Sequence, residues 1–409
     1  MARKMKDSGI EWIGEIPEGW EVVQLKRFAE VHNGREIDVE VDSTDSSAVG
    51  VYGSGGVFKY TNRAQYSGKA VLFGRKGTLG KPLYVEGQLW AVDTMYFLTY
   101  SNRLLEKFSY YQFLAFNWAP YITHTAIPSV VASEIVACYF PIPPLEEQAK
   151  IADYLDNGCA SLDTILDKTR SSIEEYKKLK QAVITQAVTK GVRGKREMKD
   201  SGVGWIGAIP KDWEIKRLKS FCTIVDCKNR TPDVFPDGKY TVVRTTCIKD
   251  CSFSYEGSYQ TDTTNFKAWT LKGQPHKGDI FFTREAPVGE ACLVPNADNL
   301  CMGQRVMFFR PEDNSDARYI MYSIYGPLVR EYIASKNSGS TVGHLKLGQV
   351  ACIPIFYCPP LEQKEIADYL DAKCAEIAGL IAKKEQLVKE LENYKKSLIY
   401  EVVTGKREV

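Results

Sequence analysis

Nowhere in the 409 residues do about 18 apolar side chains run together, so no segment reads as a membrane-spanning helix. The opening residues, Met1 to Gly9, also lack the apolar block of a secretory leader. A cytoplasmic location is therefore expected. No Cys-x-x-Cys pair occurs among the eleven cysteines. Cys247 and Cys251 stand close together, but no second pair or histidine follows at zinc spacing, and no metal site is expected. The cysteines are odd in number and scattered, often in apolar stretches as at Cys138, Cys292 and Cys352. They read as small hydrophobes in a reducing compartment rather than as a disulfide framework. An excess of one charge is also missing. Lys and Arg total 53 against 51 Asp and Glu, a net charge of +2, which excludes coating nucleic acid by bulk charge. It leaves room for a reader whose basic residues are clustered.

Catalytic signatures are absent too. Pro141-Ile142-Pro143-Pro144 and Cys358-Pro359-Pro360 lack the polar residue and the aromatic of an Asn-Pro-Pro-Tyr or Asp-Pro-Pro-Tyr methyltransferase motif. Gly74-Arg75-Lys76-Gly77-Thr78-Leu79-Gly80-Lys81 looks briefly like a phosphate loop, but its spacing fails and Pro82 stands where Ser or Thr is required. His32, His124, His276 and His344 lie far apart, with no serine or cysteine nucleophile motif beside them. No nuclease carboxylate set stands out.

The composition itself is that of an ordinary globular chain, 44% hydrophobic and 25% charged, long enough for two or three domains. Its dominant feature is repetition. Met5-Lys6-Asp7-Ser8-Gly9-Ile10-Glu11-Trp12-Ile13-Gly14-Glu15-Ile16-Pro17 returns as Met198-Lys199-Asp200-Ser201-Gly202-Val203-Gly204-Trp205-Ile206-Gly207-Ala208-Ile209-Pro210. The match runs on through Trp20 and Trp213 to Leu25-Lys26 and Leu218-Lys219. Pro143-Pro144-Leu145-Glu146-Glu147-Gln148, leading to Ile151-Ala152-Asp153-Tyr154-Leu155-Asp156, returns as Pro359-Pro360-Leu361-Glu362-Gln363, leading to Ile366-Ala367-Asp368-Tyr369-Leu370-Asp371. One residue is lost between the anchors, and Gly194-Lys195-Arg196-Glu197 echoes Gly405-Lys406-Arg407-Glu408. Between these blocks residues 29–137 and 222–352 align only at scattered points. Drift after duplication would not so readily spare short segments and erase what lies between them. One scaffold carrying two different readers is the better account. The shared tryptophans Trp12, Trp20, Trp205 and Trp213 are expected to pack that scaffold.

After each Pro-Pro a helical pattern runs for about 44 residues, roughly 66 Å at 1.5 Å per residue. Ile151, Leu155, Leu162, Leu166, Ile173, Tyr176, Val183 and Ala187 form one apolar stripe; Ile366, Leu370, Ile377, Ile381, Val388, Leu391, Leu398 and Val402 form the other. The steps of three, four and seven are those of a coiled-coil seam. The prolines set each start, and Gly191 and Gly405 are natural stops. A narrow stripe needs a partner. The simplest is the other repeat, packed antiparallel in the same chain; pairing between chains is the alternative. Antiparallel pairing would place two readers at opposite ends of a stiff rod, roughly a 34 Å DNA turn or more apart, so that the rod fixes the gap between two short sequences.

Both variable regions read as mixed α and β. Ala70–Phe73, Leu83–Val85 and Met95–Leu98 are strand-like, with a helix expected from Leu104 to Tyr121. Asp279–Phe282, Ala291–Val294 and Val306–Phe309 answer them, with a helix from Ala317 to Ala334. The Gly-rich turn between strands carries Arg75, Lys76, Thr78 and Lys81, and its counterpart Thr283-Arg284-Glu285-Ala286-Pro287-Val288-Gly289 carries Arg284. Glycine lets the backbone approach DNA, and Arg or Lys can meet phosphate or guanine. Further candidates are Lys59 and Arg63 beside Gly53-Ser54-Gly55-Gly56, Arg230 within Lys228-Asn229-Arg230-Thr231, Arg244, the pair Gln304-Arg305, and Lys346 beyond Ser338-Gly339-Ser340-Thr341 and His344, a stretch that parallels His124 to Ser129.

Taken together, the twice-written opening, Gly-Arg-Lys-Gly-Thr-Leu-Gly at 74–80, Thr-Arg-Glu-Ala-Pro-Val-Gly-Glu-Ala at 283–291 and the repeated Pro-Pro-Leu-Glu block resemble the specificity subunits of Type I restriction–modification systems over essentially the whole chain. The resemblance implies an α+β fold in which two mixed α/β target-recognition domains are separated by two long antiparallel coiled-coil helices, with a pseudo-twofold internal repeat. The expected divisions are a first recognition domain at 1–144, a spacer helix at 145–190, a linker and second recognition domain at 191–358, and a second spacer helix with its tail at 359–409. Each domain would read one half of a bipartite, asymmetric sequence in double-stranded DNA. The resemblance further implies two modification (methyltransferase) subunits as partners and, through them, restriction (motor nuclease) subunits. S-adenosylmethionine and ATP would be bound by those partners, with no cofactor in this chain and no catalysis by it. The repeats differ in length, so pseudo-symmetry would hold only for the scaffold. A scaffold unrelated to nucleic acid, with two adaptor domains on a coiled-coil strut, and a stand-alone enzyme with an unfamiliar site are the alternatives.

Overall fold

The computed structural model describes residues 3–123, 125–228, 230–337 and 343–409. His124, Asn229 and the Ser338–Thr341 loop singled out above lie outside the described residues. The chain divides into two compact units, Met1–Ser171 with Glu385–Val409, and Ser172–Lys384. Each unit therefore holds one variable region and a part of each long helix.

In the first unit a six-stranded sheet runs in the order Ala29–Asn33, Met95–Tyr100, Tyr66–Gly74, Leu83–Ala91, Val49–Gly53, Gly56–Thr61. The first four strands pair antiparallel. The hairpin Val49–Thr61 joins the edge by a parallel pairing of Val51 with Trp90. In the second unit Cys222–Val225, Val306–Pro311, Ile280–Arg284 and Val288–Leu293 form an antiparallel sheet of the same order, the first three strands in the same register and the last with a bulge. Where the first unit adds a hairpin, the second builds a separate three-stranded sheet from Tyr259–Thr261, Tyr240–Val243 and Leu300–Met302, with a short helix at Thr263–Trp269. The variable regions thus share a four-stranded frame that their sequences hide. Alternation is lost because these strands are buried on both faces: Val71, Leu72, Phe73, Ile280, Phe281 and Phe282 are all fully inaccessible.

The repeated blocks form the same small pieces twice. Met5–Asp7 pairs with Glu15–Pro17, and Met198–Asp200 with Ala208–Pro210. Glu21–Gln24 pairs with Tyr139–Ile142, and Glu214–Arg217 with Pro354–Tyr357, bringing each variable region back to the start of a long helix. Trp20 and Trp213 are buried in the cores there, whereas Trp12 is half-buried and Trp205 is 53% exposed, so one of the four scaffold tryptophans does not pack as expected.

The long helices span Leu145–Lys190 and Pro360–Val403. Gly191 and Gly405 follow at φ +74° and +71°, the left-handed conformation that ends a helix readily at glycine. In the first unit Leu398 lies beside Gly158, Lys395 pairs with Asp163 at 2.6 Å and Glu392 with Arg170 at 2.6 Å. One number rises as the other falls, so these segments run antiparallel. Ile151, Leu155, Cys159 and Leu162 share a core there with Leu398, Ile399, Val402 and Val403. In the second unit Ile184, Ala187 and Val188 share a core with Ile366, Ala367, Leu370 and Cys374, and Lys384 stands over the Tyr176 ring.

Two expected helices prove shorter. The first covers Glu106–Ala115 only: Phe116 turns to extended backbone at ψ +136°, and the chain goes on to a separate 3-10 turn at Ala119–Tyr121, where Pro120 is tolerated at the start. The second divides into Ala317–Ile324 and Pro327–Asn337, broken at Gly326-Pro327. The repeated Leu-Glu pairs also prove not to be equivalent. Gln148 donates to the carbonyl of Pro143 and Gln363 to that of Cys358, both at 2.9 Å. This register, which the strands Tyr139–Ile142 and Pro354–Tyr357 share, makes Glu147 the counterpart of Glu362 and leaves no residue missing between strand and helix. Glu147 is held by Arg3 at 2.6 Å and by the Trp20 indole N–H at 3.1 Å. Glu362, wholly inaccessible, is held by Arg196, whose guanidinium titrates above its usual range chiefly because of that hydrogen bond.

Candidate nucleic-acid interface

The register of the shared sheets makes Arg75 the counterpart of Arg284. Val71 and Ile280 occupy the same place against Leu98 and Phe309, and four residues on from each stands the arginine. The two are held alike. The Arg75 N–H donates to the Thr94 carbonyl at 2.8 Å, and the Arg75 carbonyl accepts from Val130 N–H at 3.0 Å. The Arg284 N–H donates to the Arg305 carbonyl at 3.1 Å, and its carbonyl accepts from Leu345 N–H at 3.0 Å. Lys76 bridges to Ser129 as Glu285 bridges to His344.

The side chains on these equivalent turns differ. In the first unit residues 75–82 link two strands, with Gly77 and Gly80 at φ +81° and +70°, a conformation that favours glycine. Arg75 is half-buried with its guanidinium over the Tyr96 ring, 5.7 Å from the centroid. Lys76, Thr78 and Lys81 are exposed. Among the described residues Arg75, Lys76 and Lys81 make no ion pair. Three cations on one exposed turn create a local positive field that phosphate would meet.

In the second unit the turn is neutralised from within. Arg284 is only 8% exposed, and its Nη1 donates to both oxygens of Asp226, at 3.0 and 3.3 Å. Glu285 pairs with Arg305 at 3.1 Å and with His344 at 3.4 Å. Arg284 is thus a correction to the expectation of an accessible contact: burial and the Asp226 carboxylate hold it inside.

The remaining candidates fall into three groups. Lys59 and Arg63 are exposed but engaged, Lys59 with Glu40 at 2.7 Å and Arg63 with Asp38 and over the Trp90 ring. Arg230 is exposed, 5.8 Å from the Trp269 ring centroid, and its carbonyl accepts from the Trp269 indole N–H at 3.1 Å. Lys228 stands over the same ring at 4.6 Å. Gln304 accepts from the Thr231 hydroxyl at 3.5 Å. Arg244, exposed, donates to the Gly257 carbonyl at 3.4 Å and lines a depression of about 650 Å³ with Lys249 and Phe253. Lys346 is exposed, with its backbone N–H accepted by Gln349 at the start of a short helix. Asp226 and Trp269 escaped sequence reasoning. The only signal for Asp226 was its alignment with Asn33 in the repeat, both at the end of the first frame strand. Among the described residues no cluster of His, Cys, Asp and Glu could hold a metal ion, and no helix is long and apolar enough to cross a membrane.

A duplicated α+β frame, with paired helical segments in each unit and a differently charged turn at one equivalent position, defines a two-module binding protein. The family model for the Type I restriction modification DNA specificity domain matches it twice, over residues 17–175 and 210–390. The chain belongs to that family, the specificity subunits of Type I restriction–modification systems. It is 24% identical over 430 residues to a putative type I restriction enzyme MjaX specificity subunit of Methanocaldococcus jannaschii, covering 96% of this chain and 95% of that one. It is 25% identical over 427 residues to the type I restriction enzyme MjaVIII specificity subunit of the same organism, covering 96% and 93%. Among solved structures, a chain from work on complex assembly and conformational transition of the type I R-M system superposes with a TM-score of 0.69 at 17% identity, covering 96% of this chain and 99% of that one. That likeness concerns the fold.

Proposed function

We propose that this chain reads DNA for a Type I restriction–modification complex. Each variable region takes one half of a bipartite, asymmetric target in double-stranded DNA. The number of helical residues joining the readers sets the number of base pairs tolerated between the halves. The chain docks two methyltransferase subunits and, through them, the motor nuclease subunits. S-adenosylmethionine and ATP are bound by those partners, and this chain supplies positioning rather than a reacting group.

The observation that carries this reading is the shared four-stranded frame presenting equivalent but differently charged turns, 75–82 and 285–287. A common frame with unlike surfaces suits a target with unlike halves. Phosphate contacts hold register, and base edges and duplex shape then carry the sequence information.

The test is competition binding by the complex reconstituted with its methyltransferase subunits, on duplexes with one half-site scrambled at a time. Scrambling either half should cost affinity, and binding should weaken steeply with salt. No DNA binding with the partner present would make the chain an adaptor scaffold instead. Methyl transfer or cleavage by the isolated chain would make it an enzyme.

A further inference from the structure

We infer that the two readers engage DNA through different parts of their common frame: the first through the Arg75–Lys81 turn, the second through Lys228 and Arg230, with Arg284 a positioning residue that acts through Asp226. The inference rests on the DNA-reading function proposed above.

The argument starts from equivalence. Arg75 and Arg284 share a place in the sheet and the same pair of backbone hydrogen bonds. What differs is the residue where the edge strand of the frame ends, one strand removed from the arginine's own. Ala29 pairs with Tyr100 and Cys222 with Pro311 at the matching position, so Asn33 and Asp226 are counterparts, each four residues along. Asparagine offers Arg75 no counter-charge. Aspartate takes Arg284 in a charge-assisted contact at 3.0 Å and removes it from the surface. The next position repeats the contrast: Lys76 is exposed, and Glu285 is occupied by Arg305 and His344. A turn of formal charge +3 from Arg75, Lys76 and Lys81 is thus matched by one in which Arg284 and Arg305 are each offset by a carboxylate.

The same contact says where the second reader's cations went. Asp226 stands two residues before Lys228, so pinning it to Arg284 fixes the backbone that leads to Lys228. Beyond it, Trp269 holds the Arg230 carbonyl and Gln304 holds the Thr231 hydroxyl. The cations, Lys228 and Arg230, lie against the Trp269 ring. A cation backed by an indole is preorganised for phosphate or a base edge.

Salt dependence separates a cation that meets phosphate from one that positions others. Removing the cation from one neutralised phosphate lowers the slope of log K against log salt by about 0.9. The experiment is titration of the reconstituted complex on its own methylation target across a salt series. Arg75→Gln and Arg230→Gln should each lower the slope by about one such step. Arg284→Gln should leave the slope unchanged yet weaken discrimination of the second half-site alone, by about tenfold or more given the charge-assisted bond it removes. Asp226→Asn, which keeps every cation, should reproduce that half-site loss at unchanged slope, and it separates positioning from a failure to fold. A slope drop for Arg284→Gln equal to that of Arg230→Gln, or an unchanged slope for Arg75→Gln, overturns the inference. Absence of any sequence preference in the unaltered complex would instead overturn the reading on which it rests.

Discussion

Gln148 and Gln363 occupy equivalent places in the two repeats, both wholly inaccessible, each accepting a backbone N–H from the segment that leads into its domain helix: Leu105 at 2.8 Å for Gln148, Asp316 at 3.1 Å for Gln363. Each also donates to a carbonyl just ahead of its own long helix. One side chain thus locks the reader to the first turn of the spacer. Gln148→Ala and Gln363→Ala would each leave a partly buried backbone donor unmatched. Each should destabilise its unit by about 1–3 kcal/mol, as measured by urea unfolding, with Glu substitutions costing at least as much.

The two carboxylates beside these glutamines should differ in weight. Glu362 is wholly inaccessible against Arg196, whereas Glu147 and Arg3 retain 25% and 28% side-chain exposure. Breaking the buried pair with Glu362→Ala should cost about 3–5 kcal/mol. Glu147→Ala should cost about 1 kcal/mol, in keeping with its solvent screening. Equal losses in denaturant unfolding would contradict the assignment of Glu362 as the buried anchor.

Much of this frame was legible in the chain. The repeated blocks marked both long helices, because apolar steps of three and four persist without an internal proline, and the short strand runs of both variable regions appear where their β-branched and aromatic residues cluster. Helix ends were read less well. Phe116 and Trp118 continue the apolar spacing of the helix ending at Ala115, yet they are buried from irregular backbone, Phe116 beside Phe140 and Trp118 beside Phe73. In the binding surface the exposed cations of the 75–82 turn were visible in sequence. The neutralisation of Arg284 was not, because its partner Asp226 lies 58 residues away and only strand pairing brings the two together. Charge on a residue is written in the sequence; its pairing is a tertiary fact.

Lys59 and Arg63, like Arg75 and Lys76, were candidates for DNA contact, but each spends its charge on a carboxylate. Lys59→Gln should therefore change the salt slope of DNA binding less than Lys76→Gln does. Binding isotherms at a few salt concentrations suffice to compare them.

The cysteines should behave as packing residues. Burial pushes the thiols of Cys251, Cys301 and Cys358 up to about 12, and those of Cys222 and Cys292 upward as well. Few thiolates are then present at pH 8. A disulfide reagent should label the half-buried Cys138 and Cys352 first, reach the half-buried Cys251 more slowly because of its raised thiol, and leave Cys222, Cys292, Cys301 and Cys358 unreacted until the chain unfolds. Rapid native labelling of Cys292 would contradict the packing described for its sheet.

The measurement that bears most directly on the central claim is a map of methylated adenines in DNA exposed to the reconstituted complex, made with the unaltered chain and with a variant lacking one heptad from each long helix. The account predicts two short, dissimilar motifs at a fixed gap, with the same motifs at a shorter gap, or no methylation, in the variant. A single contiguous motif, or a gap that stays the same when the helices are shortened, would contradict it.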